Sequence, residues 1–280
     1  MHAEQLTAPV AYHGEGPVWS ERWGGLRWVD MLAGDILSLK PDRAITRRHV
    51  DRVAAALRPR RRGGAVIGVE RGFALEEPDG TITHLSELWT DRNVRMNEGG
   101  CDPDGRFYCG SMAYDKRSGA GSLYRLDPDG SVRVVLESVT ISNGLDWSPD
   151  GSLAYYNDTP TQRIDVFDYE FASGLTGRRP FVDIAPERPD GLTVDSQGGV
   201  WVALSRGAAV RRYTPEGRLD EVVEVPVRKV TACTFGGTAL DELIITTSKE
   251  GLEPGVDPLA GSLFRALPGV SGQRVREFAG

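Results

Sequence analysis

Cysteine, histidine and long apolar runs are all scarce in this sequence, and each scarcity excludes a class of protein. Three cysteines cannot form a disulfide framework, and their spacing matches no zinc motif, so we expect buried thiols in a reducing compartment. The four histidines, of which His13 is the nearest to a conspicuous motif, do not recur at equivalent positions. This pattern disfavours a serine–histidine–aspartate triad. His13 lies two residues before Glu15 and could reach the mouth of a channel there, but we expect it to have a surface role.

Positive charge is also in short supply, because the formal net charge is −7. A surface that binds nucleic acid is therefore disfavoured. No apolar run approaches the roughly 18 residues of a transmembrane helix. Residues 1–16 lack the basic start and the apolar stretch of a secretion signal. We expect a cytoplasmic protein that binds neither nucleic acid nor membrane.

Glycine and proline, in contrast, are abundant, with 34 and 17 copies, and favour short strands joined by tight turns. A glycine turn followed by an alternating apolar strand occurs six times, at intervals of 39–47 residues, for example DGRFYCGSM at 104–112. A second strand follows each copy, for example GSLYRLDPDG at 121–130. Radial packing of such four-stranded units protects their edges. The sequence predicts an all-β protein, a six-bladed β-propeller, in which residues 1–280 form one domain.

The strand that precedes each glycine turn is predicted to line the central channel. In four of the six units this strand carries an oxygen-bearing residue followed by glycine: Glu15-Gly16, Glu98-Gly99, Asn143-Gly144 and Asp190-Gly191. Equivalent positions of different blades point at the same axis, so these side chains are expected to converge. Carboxylates that meet in this way stay ionised only around a cation. Oxygen ligands suit Ca²⁺, Mg²⁺ or Mn²⁺, and Zn²⁺ or Fe²⁺ also accept them.

Several long motifs resemble one known family. They are GEGPVW at 14–19, RMNEGGCDPDGRFYCGSM at 95–112, ISNGLDWSPDG at 141–151 and PDGLTVDSQGGVWVA at 189–203. These segments are similar to those of the senescence-marker-protein/gluconolactonase/luciferin-regenerating-enzyme family, and the resemblance runs from about residue 12 to residue 270. It implies a six-bladed propeller with one divalent metal ion at the centre of the channel.

The resemblance also implies roles for individual residues. Glu15, Asn143 and Asp190 would be the metal ligands, and Asp190 would also act as the acid/base residue. Arg95 and Asn97 match positions that contact sugar hydroxyls. Where the family often has an aspartate, this chain has Glu98, and the extra methylene could direct its carboxylate towards the metal or the substrate.

These observations favour a metal-dependent hydrolase that opens a sugar-derived lactone to the aldonic acid. Water would attack a carbonyl polarised by the metal, with Asp190 as general base. Two alternatives use the same site. One is hydrolysis of another ester or of an organophosphate, and the other is a non-enzymatic calcium-binding regulatory propeller. The expected partner is a small-molecule lactone, and a monomer is the simplest quaternary state.

Overall fold

The computed structural model describes residues 1–280 as six four-stranded antiparallel sheets. Five sheets are each formed by four consecutive strands. The sixth sheet takes three strands from the end of the chain and its outermost strand from the beginning. This exchange closes the ring, because it hydrogen-bonds the first strand of the chain to the last. The prediction of an all-β, six-bladed propeller is confirmed.

The strands are numbered in chain order. The first blade comprises β2 (Gly14–Ser20), β3 (Gly25–Asp30), β4 (Asp35–Leu39) and β5 (Ile45–His49). The second comprises β6 (Ala54–Pro59), β7 (Ala65–Val69), β8 (Gly72–Glu76) and β9 (Ile82–His84). The third comprises β10 (Val94–Cys101), β11 (Phe107–Ala113), β12 (Gly121–Leu126) and β13 (Val132–Val139).

The second half of the ring repeats the pattern. The fourth blade comprises β14 (Ser142–Trp147), β15 (Leu153–Asp158), β16 (Arg163–Glu170) and β17 (Gly174–Asp183). The fifth comprises β18 (Pro189–Val194), β19 (Val200–Leu204), β20 (Ala209–Tyr213) and β21 (Leu219–Glu224). The sixth comprises β22 (Val230–Gly236), β23 (Glu242–Thr247), β24 (Phe264–Ala266) and β1 (Glu4–Gln5). Three short 3₁₀ turns occur, and no helix is long and apolar enough to cross a membrane.

The first strand of each blade is the innermost one, as the sequence predicts. These six strands pack against one another in a closed ring around the axis: β2, β6, β10, β14, β18 and β22. The apolar core lies between neighbouring sheets. For example, Trp28 and Leu37 of the first blade pack with Ile244 of the sixth, and all three are buried. Complete burial of one such side chain contributes about 1.5–3 kcal/mol, so the contacts between blades hold the ring together.

A bulge interrupts the pairing of every innermost strand with its neighbour. The register shifts fall between Glu15 and Val18, Ala54 and Ala56, Met96 and Gly99, Ser142 and Leu145, Pro189 and Leu192, and Val230 and Ala232. A bulge bends a strand and redirects the side chain beside it. The residue–glycine pairs of the sequence therefore mark bulges in the middle of the channel wall.

The glycines of these pairs are required by the close approach of neighbouring strands. A Cβ atom on Gly144 would lie 2.6 Å from the backbone nitrogen of Leu192. A Cβ atom on Gly191 would lie 2.5 Å from the Cβ atom of Ala232. Any side chain at these two positions would force the innermost strands apart, and the polar residue before each glycine would move with them.

The C-terminal segment, residues 270–280, covers one end of the channel. The Gln273 side chain donates hydrogen bonds from Nε2 to the carbonyl oxygens of Trp147 at 3.0 Å and Val194 at 3.1 Å. The backbone nitrogen of Phe278 donates to the carbonyl oxygen of Pro59 at 2.8 Å. The segment thus contacts the C-terminal ends of innermost strands from three blades.

Candidate functional site

Three of the predicted site residues meet in one cavity at the end of the channel opposite the C-terminal segment. Glu15 lies in β2, Asn143 in β14 and Asp190 in β18, each at the bulge of its strand. All three are buried, and all three line the same cavity. Because the bulges occur at equivalent heights in their blades, residues far apart in sequence arrive at one place on the axis.

Hydrogen bonds fix the amide of Asn143 in this cavity. Its Nδ2 donates to Oδ1 of Asp190 at 2.5 Å and to Oγ1 of Thr159 at 3.0 Å. The Thr159 hydroxyl in turn donates to the carbonyl oxygen of Pro189 at 2.8 Å. This orientation leaves Oδ1 of Asn143 buried with no hydrogen-bond partner. An unpartnered buried acceptor costs about 1–3 kcal/mol, so the arrangement fits a ligand that accepts the lone pair of this oxygen.

Two carboxylates complete the oxygen set, and both have raised pKa values. Burial, followed by the charges of Asp190 and Glu98, raises the pKa of Glu15 well above its ordinary value. Burial raises the pKa of Asp190 to about 6, although the hydrogen bond from Asn143 and the charge of Lys229 oppose that rise. Repulsion between buried carboxylates of this kind is relieved by a cation placed among them.

The oxygens of Glu15, Asn143 and Asp190 could therefore hold a hard divalent ion. No group of three or more histidine, cysteine, aspartate or glutamate side chains in the chain is arranged to bind a metal. The candidate centre thus depends on the amide oxygen of Asn143 as well as on the two carboxylates, and water or substrate oxygens would complete the coordination.

Arg95 and Asn97 line the same cavity and are linked to each other. Arg95 donates to Oδ1 of Asn97 at 2.8 Å, and Nδ2 of Asn97 donates to the carbonyl oxygen of Ser142 at 2.8 Å. The guanidinium group also lies 5.7 Å from the ring centre of Tyr114. Its Nε is buried and has no partner. Asn97 therefore positions Arg95, whose remaining N–H groups are free to bind a ligand.

Glu98 does not join this cavity. The bulge in β10 includes both Asn97 and Glu98, so these neighbours project differently. Glu98 lines a second cavity towards the C-terminal segment, together with Arg58 and Asp146. Burial, followed by the charge of Asp190, raises the pKa of Glu98 to about 8, and its Oε2 has no hydrogen-bond partner. Of the four oxygen-bearing residues that were expected to converge, three therefore lie in one cavity, and Glu98 lies in another.

His13 is buried in the cavity wall, and the expected surface role is wrong. Its backbone nitrogen donates to Oδ1 of Asp30 at 2.9 Å, and its Nδ1 lies 2.6 Å from Oγ of Ser248. Burial, with the charges of Lys229 and Arg95, lowers the pKa of His13 well below its ordinary value. The one signal of this position in the sequence is that His13 lies two residues before Glu15, within reach of the channel mouth.

Sequence reasoning also missed several other residues of this cavity. They lie near the ends of strands and in the segments that connect them, and they are Met112, Lys116, Ile141, Thr159, Arg188, Ser205, Lys229 and Glu250. Ile141, Arg188 and Lys229 each immediately precede the innermost strand of a blade, but their side chains differ in type, so no shared motif marks these positions. The other residues meet in the cavity because the ring is closed, which their spacing does not show.

The class of the protein is now defined by comparison with known proteins. The model of the SMP-30/gluconolactonase/LRE-like region matches residues 13–249. The chain belongs to the SMP-30/gluconolactonase/LRE-like family.

Individual relatives cover almost the whole chain. Regucalcin of Oryctolagus cuniculus is 36% identical, with 95% of each chain covered. A Bacillus subtilis protein with the provisional name sugar lactone lactonase YvrE is 35% identical, again with 95% of each chain covered. The crystal structure of a calcium-binding protein, regucalcin from Agrobacterium tumefaciens, matches with a TM-score of 0.90 at 26% identity, covering 97% of this chain and 95% of that one.

Proposed function

We propose that this chain is a metal-dependent lactonase that hydrolyses a sugar-derived lactone to its hydroxy acid. The observation that carries the proposal is the cavity of Glu15, Asn143 and Asp190, with its two buried carboxylates and its unpartnered amide oxygen. Membership of a family whose description includes gluconolactonase, and similarity to a relative named as a sugar lactone lactonase, support the substrate class.

Glu15, Asn143 and Asp190 would hold one divalent ion. Their oxygens suit Ca²⁺, Mg²⁺ or Mn²⁺, and Zn²⁺ or Fe²⁺ is also compatible. Similarity to a structure that is described as a calcium-binding protein supports a divalent metal in this chain. When bound, such an ion supplies Lewis-acid polarisation of the ester carbonyl.

Asp190 would accept a proton from the attacking water. Without a metal ion, burial raises the pKa of Asp190 to about 6, and a bound cation would lower it, so Asp190 would be ionised at neutral pH and able to accept a proton. The hydrogen bond from Asn143 fixes one carboxylate oxygen, so the other remains available. Water adds to the carbonyl carbon, the ring C–O bond breaks, and the ring oxygen leaves as the alcohol after it receives a proton.

Arg95 would orient the lactone in the cavity. Asn97 and the carbonyl oxygen of Met96 hold its guanidinium in place, at 2.8 and 2.9 Å. A ligand held at attack distance reacts as if its local concentration were very high, so fixed donors of this kind accelerate the reaction. Contacts to substrate oxygens would come from the N–H groups of Arg95 that have no protein partner.

A hydrolysis screen with metal removal and replacement tests this function. The chain is treated with a chelator and assayed by proton release on aldonolactones, an aryl ester and an organophosphate, with each divalent ion then added separately. We expect lactone hydrolysis that falls at least a hundredfold on chelation and returns with a divalent ion. Faster turnover of the aryl ester or the organophosphate would favour the other hydrolase, and metal binding without any turnover would favour a regulatory calcium-binding propeller.

A further inference from the structure

The cavity of Glu15 and Asp190 is rich in positive charge, although the whole chain has a formal net charge of −7. The cationic side chains that line it are Arg95, Lys116, Arg188 and Lys229. The charge of Arg206 also acts on both lysines. These five residues, called the cationic rim here, come from three blades and the loops beside them. A neutral lactone carries no negative charge that could pair with these cations.

Arg95 is exceptional among the buried arginines of this protein. Four arginines are buried: Arg60, Arg95, Arg106 and Arg212. Three of them contact a carboxylate: Arg60 with Glu77 at 2.8 Å, Arg106 with Asp102 at 2.5 Å and Arg212 with Asp195 at 2.7 Å. Arg95 forms no ion pair and has an unpartnered Nε. A buried charge without a partner is costly, so Arg95 fits a site that is completed by an anion.

The outer part of the cationic rim is similarly short of counter-ions. Arg188 and Arg206 are exposed and form no ion pair. The two lysines share one carboxylate, since Lys229 pairs with Glu250 and the Nζ of Lys116 lies 4.0 Å from it. One glutamate therefore faces four cations at the entrance.

The members of the cationic rim lie close enough to repel one another. Burial lowers the pKa of Lys116, and the charges of Arg188 and Arg95 lower it further. Burial lowers the pKa of Lys229 to about 8; the charge of Asp190 opposes this fall, and the charge of Lys116 adds to it. An anionic group bound between them would relieve this repulsion, because each cation would then gain an opposite charge.

The carboxylates at the floor of the cavity do not serve as the missing counter-ions. Neither Glu15 nor Asp190 forms an ion pair with any cation of the chain. Their oxygens are instead directed to the amide of Asn143, to the backbone of Gly16 and to the centre of the cavity. Their charges act on Arg95 and Lys229 from a distance, without a direct ion pair, and a divalent ion held by these carboxylates would cancel much of that effect.

Resting on the proposed lactonase function, we infer that the substrate of this chain is a lactone that carries an anionic substituent, either a carboxylate or a phosphate. The ester would lie at Glu15, Asn143 and Asp190, and the anionic substituent would bind Arg95 and the entrance residues Lys116 and Arg188. Discrimination against neutral lactones follows, because only an anionic substituent satisfies these cations.

The test compares three lactones on the metal-loaded full-length chain: glucono-δ-lactone, a glucaric acid monolactone with a free carboxylate, and 6-phosphoglucono-δ-lactone. We expect at least a tenfold higher kcat/KM for one anionic lactone than for the neutral one at low ionic strength. Added salt should reduce this advantage, because it screens exposed charges. The carboxylate and phosphate arms show which anion the cationic rim prefers.

Two variants and a control locate the effect. Arg188→Gln and Lys116→Gln should each lower the ratio of anionic to neutral kcat/KM at least tenfold. Arg133→Gln makes the same change of charge on the outermost strand of the third blade and should leave the ratio unchanged. Equal kcat/KM for all three lactones, or a ratio that Arg188→Gln does not alter, would overturn the inference while the lactonase function stands.

Calorimetric titration with the same three lactones distinguishes failure of the anion-site inference from failure of the proposed lactonase function. If no lactone is hydrolysed, the proposed function fails, and binding then decides the inference by itself. At least tenfold tighter binding of an anionic lactone than of glucono-δ-lactone, lost in Arg188→Gln, would support an anion site. Equal binding of the charged and neutral lactones would contradict it.

Discussion

The two ends of the central channel are built from the same strands but have different surroundings. At one end Glu15, Asn143 and Asp190 form a cavity whose entrance is lined by cations. At the other end Glu98 and Asp146 share a cavity with Arg58, and the C-terminal segment covers it. The β10 bulge supplies both ends, with Asn97 in one cavity and Glu98 in the other. The comparison shows that a bulge sets the direction of a side chain, whereas the surrounding loops decide whether a ligand can reach it.

The largest expected effect comes from a matched pair of isosteric changes, one at each end. Asp190→Asn should reduce lactone turnover by about 10³-fold or more, because it removes the negative charge of a proposed metal ligand and also the proposed general base. Glu98→Gln should keep turnover within about threefold of the parent chain, because its side chain lines the other cavity. Circular dichroism establishes that both variants fold. Equal losses in the two variants would mean that the two ends do not act separately.

Glu98 should instead influence how stability depends on pH. Its pKa rises from 4.5 in the unfolded chain to about 8 in the fold, so the folded state retains a proton that the unfolded state releases. This contribution favours folding below pH 4.5 and is lost as the pH rises towards 8. Glu98→Gln in metal-free protein should therefore gain stability over the parent chain between pH 5 and 8.5, on the order of a few kcal/mol.

Urea unfolding at these two pH values measures the difference. Glu15 and Asp190 titrate in both proteins, so the difference between them reports the Glu98 carboxyl together with its interactions with those two groups. A difference between parent and Glu98→Gln that is the same at pH 5 and at pH 8.5 would show that the carboxyl group does not hold its proton in the folded state.

The smallest effect is expected at the C-terminal segment. Gln273→Ala removes two hydrogen bonds, to the carbonyl oxygens of Trp147 and Val194, and should lower the free energy of unfolding by about 1–2 kcal/mol. Turnover should remain within twofold, because the segment lies at the end away from Asp190. A tenfold loss of turnover without a change in stability would show that this segment acts on the cavity at the other end.

The sequence predicts the fold and the floor of the site because both are repeated. Six turns define the blades, and the residue–glycine pairs place Glu15, Glu98, Asn143 and Asp190 on the channel wall. The family resemblance selects Glu15, Asn143 and Asp190 among them, and the structure places these three at bulges. Only glycine permits the close approach of the innermost strands, so the motif has a direct structural cause.

Two features of the site cannot be predicted from the repeat in the sequence. The direction of Glu98 depends on a bulge that includes both Asn97 and Glu98, and spacing alone does not tell which neighbour faces which end. The cationic rim has no shared sequence motif. Arg188 and Lys229 each immediately precede the innermost strand of a blade, whereas Lys116 lies in a different loop, between β11 and β12. Those residues meet only because the ring closes and brings the ends of separate blades together.

Calorimetric titration of the chelator-treated chain with Ca²⁺ and Mn²⁺ is the most direct test of the central claim. We expect one ion to bind per chain, with binding lost in Asp190→Asn, strongly weakened in Asn143→Ala and retained in Glu98→Gln. Binding that is unchanged in both Asp190→Asn and Asn143→Ala, or no binding of any divalent ion to the parent chain, would contradict a metal centre formed by Glu15, Asn143 and Asp190.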